Sequence, residues 1–177
     1  MKTLFFNSLA IAALGLIHTS HADTYDLSGT LDVLQAESNG GFGGGTGNGT
    51  GTIMGGYNDV SNLLDYTITW QDLIDPGTVT NMHFHNAPAG ASGGVDLGIP
   101  APWVSPLVGT DVPLNVGQET NLLAGNWYVN VHTAEFPGGE IRGQVIVTRI
   151  PEPATAGMAA VAFLSVVSLA RRKRPSR

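Results

Sequence analysis

The chain has 177 residues, no cysteine and a formal net charge of −6. That charge is unevenly placed: Asp23 to Ile150 holds thirteen carboxylates against Arg142 and Arg149 alone, hence −11 for that stretch. Such an acidic surface excludes nucleic acid and disfavours anionic lipid as partners, while the missing cysteine excludes disulfides, thiol catalysis and cysteine-held metal.

In chain order, Lys2 precedes an apolar run from Leu4 to Ile17, and Ser20-His21-Ala22 places small residues at the two positions a signal peptidase reads. Residues 1–22 therefore read as a secretory signal helix, since the run falls short of the ~20 apolar residues that cross a bilayer. Its removal takes His18 and His21 and leaves His83, His85 and His132 in the mature domain, residues 23–150. Tyr25, Leu27, Gly29, Leu31 and Val33 alternate with Asp26, Ser28, Thr30 and Asp32, the two-residue period of a strand with one wet face. Residues 39–51 are glycine-rich with little to bury, which predicts a surface loop. No helix start with a lysine follows it, as a phosphate cradle requires, and no recurring aspartate, as calcium-binding repeats require.

Thr50 to Tyr57 reads as a weak second strand, and Leu64, Tyr66, Ile68 and Trp70 mark a clear third, ended by Asp75-Pro76-Gly77. From Thr78 to His85 a further strand directs Met82 and Phe84 to the core and sets Asn81, His83 and His85 on the opposite face. Pro100, Pro102, Pro106 and Pro113 restrict Ile99 to Pro113 to edge strands or irregular crossings, and Leu114 to Ala124 reads as one more short strand. Gly90-Ala91-Ser92-Gly93-Gly94 matches the G-x-S-x-G nucleophile pattern by letter but lacks the helix that must follow, so it reads as a loop.

Trp127, Val129 and Val131 alternate with Tyr128, Asn130 and His132; beyond Phe136-Pro137-Gly138-Gly139, Ile141, Gly143, Val145 and Val147 alternate with Glu140, Arg142 and Gln144. This predicts an antiparallel hairpin. Setting His132 opposite Glu140 puts Asn130 opposite Arg142 and Tyr128 opposite Gln144, with one polar face and one core face. Between Asp23 and Ile150 no stretch sustains a helical period over three turns, so the predicted class is all-β, an antiparallel sandwich or open barrel.

Pro151-Glu152-Pro153 breaks the last strand, 154–170 is an uncharged apolar run read as a hydrophobic helix, and Arg171-Arg172-Lys173-Arg174 opens a basic tail over 171–177. By the positive-inside rule the tail stays cytoplasmic and the acidic domain stays outside. The three parts in this order resemble the PEP-CTERM sorting signal of Gram-negative bacteria. That resemblance implies export, transient anchoring in the inner membrane, exosortase-type sorting machinery as a partner, and a final place at the cell surface or in exopolysaccharide.

The mature domain, through His83-Phe84-His85-Asn86-Ala87-Pro88-Ala89, Leu123 to Thr133 continuing into Phe136 to Gln144, and Leu31 to Glu37, resembles the CHRD domain. Asn86 stands where that family usually has glycine, and the glycine-rich insert is longer than usual. The family has no firmly assigned activity; its suggested relation to the copper/zinc superoxide dismutase barrel implies an immunoglobulin-like or superoxide-dismutase-like β architecture.

Two histidines on one strand and a third on another are a means of presenting imidazoles to one metal ion, zinc or copper first. The other reading, which the sequence alone favours, has His83, His85 and His132 hydrogen-bonding Asn81, Asn130, Glu140 and Arg142 in a network that fixes strand pairing. Three imidazoles are too few for a dinuclear copper–zinc centre, and redox catalysis by fold analogy is the weakest reading. The sequence thus predicts an exported, non-enzymatic CHRD-type binding or matrix module without an assured cofactor, with extracellular polysaccharide or a surface protein as partner. Its alternative is a protein that binds a single zinc or copper ion.

Overall fold

The computed structural model describes residues 23–37, 47–74 and 79–151. The signal segment 1–22, most of the glycine-rich stretch, the Asp75-Pro76-Gly77 turn, and the sorting tail from Glu152 on, including Pro153, Arg171, Arg172, Lys173 and Arg174, lie outside the described residues. Pro151 is described and exposed at the end of the last strand. Among the described residues no helix is long and apolar enough to cross a membrane.

Strand β1 (Thr24–Asp32) leads into a short helix, α1 (Val33–Glu37), followed by β2 (Thr50–Asn58), β3 (Leu63–Gln71), β4 (Val79–Asn86), β5 (Val95–Gly98) and β6 (Leu107–Pro113). Helix α2 (Val116–Leu123) then precedes β7 (Trp127–Thr133), β8 (Ile141–Gln144) and β9 (Ile146–Ile150). All pairings are antiparallel, and the sheet runs β5-β4-β7-β8-β1-β2-β3-β6 with β9 also on β1. It curls over one core, so β3 and β4 face each other although they are distant along the sheet: the Tyr66 and Phe84 rings meet edge-on at 5.3 Å, and Phe84 lies 4.8 Å from the Trp127 ring. The expected all-β open barrel is therefore the observed fold. Its edges are β5 and β6, joined by the segment that carries Pro100, Pro102 and Pro106, residues that donate no backbone hydrogen bond to close a ladder.

The core is built as the alternation predicts. Leu31, Ile53, Ile68, Phe84, Trp127, Val129, Val131 and Ile141 are all buried, each such side chain contributing about 1.5–3 kcal/mol of burial free energy.

Three segments differ from their sequence reading. Leu114 to Ala124 is not a strand: Asn115 accepts hydrogen bonds from the backbone of Gly117 and Gln118, and the Gln118 side chain accepts from Asn115 N–H. This capping box starts α2, and its effect outweighs the weak alternation of the segment. Val33 likewise leaves β1 for α1, because Asp32 accepts from the Gln35 N–H and ends the strand one residue early. Predicted as one strand, Ile141 to Val147 bends at Val145 into β8, which pairs with β7, and β9, which pairs with β1.

Candidate metal centre

The β4–β7 ladder sets His83 opposite Asn130, His85 opposite Tyr128, and Asn81 opposite His132. On the other side of β7, Asn130 pairs with Arg142 and Tyr128 with Gln144, the register expected from the hairpin sequence. Because Met82, Phe84, Val129 and Val131 are directed into the core, the alternate side chains share the outer face. Asn130 sits at its centre. This face is itself covered: Tyr128 and Asn130 are buried, and the three histidines are partly so.

His83 Nδ1 lies 3.2 Å from His132 Nε2, the ring centroids of the three histidines are 5.1 to 6.0 Å apart, and one nitrogen of each lies within 4.8 Å of the others. Backbone carbonyls fix the tautomers, because a carbonyl only accepts. His132 Nδ1–H donates to Pro137 O at 2.9 Å and His85 Nδ1–H donates to Gly93 O at 3.0 Å, so both rings keep the Nε2 lone pair. His83 Nδ1–H then donates to His132 Nε2. His85 Nε2 is buried with no hydrogen-bond partner among the described residues. Carbonyl-anchored imidazoles of this kind are the usual arrangement behind metal-ligating histidines. A tetrahedral ion with Zn–N bonds of ~2.0–2.1 Å sets its donors about 3.3 Å apart, close to the His83–His132 separation.

Electrostatics hold the cluster in the neutral form that a metal needs. Burial, then the neighbouring His132 and His85, lowers the pKa of His83 to about 4. Burial lowers His85 and His132 as well, opposed in each case by the hydrogen bond to its carbonyl, with Arg142 adding to the effect on His85.

Two loops build the frame. Gly93 binds His85 through its carbonyl and donates its N–H to Tyr128 Oη, and a Cβ at this position would meet Asn86 O at 1.8 Å. Pro137 O holds His132, Gly138 O accepts from Asn130 Nδ2 at 2.9 Å, and Gly139 has φ +120° with Asn130 Oδ1 only 2.0 Å from where a Cβ would stand. Between the loops a cavity of about 260 Å³ is lined by His85, His132, Tyr128, Asn130, Ser92 and Gly93, with Ala36 of α1 at its side. Tyr128 stacks on His85 at 4.9 Å and lies 3.4 Å beneath the Arg142 guanidinium.

The structure brings His83, His85 and His132 together but does not join them to the expected network. Glu140 is buried and accepts from Ile74 N–H and Thr133 Oγ1. Thr133 alternates with His132, so the carboxylate serves the core side of the hairpin; the β7–β8 ladder stops at Val131 and Ile141 before His132 is reached. Arg142 donates to Gln144 and covers Tyr128, while Asn81 accepts from Met82 N–H. Sequence reasoning placed Tyr128 on this face without a role and missed the carbonyls of Gly93, Pro137 and Gly138, since a carbonyl carries no residue signature. The glycines were the available signal, because both loops need positions where no Cβ fits.

The CHRD domain model matches residues 26–145, and the chain belongs to the CHRD family. No curated protein and no solved structure matches the chain.

Proposed function

We propose that this CHRD protein is an exported, non-enzymatic module of the cell surface or extracellular matrix, and that it holds one zinc or copper ion through His83, His85 and His132. One observation carries the metal reading: His85 and His132 are both anchored through Nδ1 to backbone carbonyls, which keeps both Nε2 lone pairs within the cluster, that of His132 accepting only from His83 and that of His85 buried and unpartnered among the described residues. A network that served only to pair strands would spend those nitrogens on the neighbouring Asn, Glu and Arg side chains. His83 Nδ1 completes the set once its proton shifts to Nε2. Three nitrogen donors suit either ion and leave a fourth position open.

Export is supported by the apolar run from Leu4 to Ile17 and by Pro151-Glu152-Pro153 with the basic cluster Arg171 to Arg174. These features favour exosortase-type machinery as the sorting partner and matrix polysaccharide as the setting. Elemental analysis of the purified chain after zinc or copper loading and dialysis tests the site: one ion per chain, lost in His85→Ala, is expected. Metal-free wild type would sink the metal reading, and a cytoplasmic location on cell fractionation would sink the matrix reading.

A further inference from the structure

Arg142 is 2% exposed, its Nη1 has no hydrogen-bond partner among the described residues, and its guanidinium rests on the Tyr128 ring that in turn stacks on His85. Among the described residues its side-chain hydrogen bond goes to the neutral amide of Gln144. Among the described residues no carboxylate lines the cavity beside the histidines. Arginine stays protonated in proteins, and a buried cation without a counter-charge is costly. With a divalent ion on three neutral imidazoles, this pocket gathers positive charge in an otherwise acidic domain, and none of its own lining groups offsets it.

We infer that the open coordination position and the adjoining cavity form a binding site for a small anion, of carboxylate or azide size, whose negative charge Arg142 and the metal jointly compensate. This inference rests on the metal reading above. A cavity of about 260 Å³ exceeds the ~30 Å³ share of one water several times over, so it admits a ligand of a few heavy atoms. Asn130, 8% exposed, lines the same cavity. Arg142 acts here through the field it sets across Tyr128 and is a positioning residue, not a ligand-touching one.

Cobalt(II) loaded into the full chain gives a visible spectrum that reports on its own coordination shell. Azide and acetate, added separately, are expected to change that spectrum saturably, whereas glycerol leaves it unmoved. Arg142→Gln is expected to weaken azide binding about tenfold, the effect of one charge at several ångströms in a partly buried site, while cobalt binds no less tightly, because loss of a neighbouring cation favours a dication; Arg142→Lys restores most of the azide binding. Cobalt that binds stoichiometrically while neither anion moves its spectrum overturns the anion site and leaves the metal site standing. Failure of cobalt to bind overturns both. The wild-type titration decides the matter even where Arg142→Gln does not fold.

Discussion

His83 Nδ1 and His132 Nε2 face each other at 3.2 Å across the β4–β7 ladder, although 49 residues separate them in the chain. Without metal, one donates a hydrogen bond to the other; with metal, the same two atoms sit near the spacing of two donors on one tetrahedral ion. The pair is therefore shaped for either state.

Loss of a ligand should exceed the about 10- to 100-fold fall in affinity that follows loss of a supporting partner. His132→Ala is expected to lower zinc affinity by more than 100-fold, because it also removes the contact to His83. Competition with a chromophoric chelator measures this, and equal affinities in wild type and variant would refute it.

Stability should depend on pH through the same ring. His83 has its folded pKa lowered to about 4 from the ordinary 6.5. Between those values the unfolded chain takes up a proton that the folded one refuses, so the contribution is full above pH 6.5, is lost as pH falls, and is exhausted below about 4. Urea midpoints of the metal-free chain should fall across that window, with a smaller fall in His83→Gln. Zinc affinity declines over the same range because protons compete for the ligands.

The loop glycine is tested by Gly139→Ala. A methyl group there meets Asn130 and demands φ +120° of an alanine, which should cost about 1–3 kcal/mol in chemical denaturation. Zinc affinity should fall as well, since the loop carrying Pro137 O is displaced. A variant as stable as wild type would mean that the loop accommodates the methyl freely.

Glu140 separates the core side of the hairpin from the histidine side. Glu140→Ala leaves Ile74 N–H and Thr133 Oγ1 without their acceptor and should cost about 2–4 kcal/mol, with zinc affinity changed less than threefold in the folded fraction. A large loss of affinity at unchanged stability would instead place Glu140 in the metal site.

Much of this was legible in the chain, for physical reasons. Strict alternation from Trp127 to His132 and from Ile141 to Gln144 sets the faces of the hairpin, and the Pro-Gly-Gly turn sets its register; Asn130 does lie opposite Arg142. The two-residue spacing of His83 and His85 put them on one face. The bond from His132 to Pro137 O was hidden because it depends on how the loop folds back, and period-two reasoning stops where a strand stops. Glu140 was misassigned for the same reason: it stands one residue before β8, where alternation no longer fixes the side-chain direction. Helix α2 was hidden by its length of eight residues, although Asn115 and Gln118 carried its capping signal.

The most direct test of the central claim is an X-ray absorption spectrum of the chain loaded with zinc. Three imidazole nitrogens at about 2.0–2.1 Å and a single further light donor are expected, falling to two imidazoles in His83→Ala. A shell of oxygen donors alone, or a spectrum indifferent to His83→Ala, would contradict the claim.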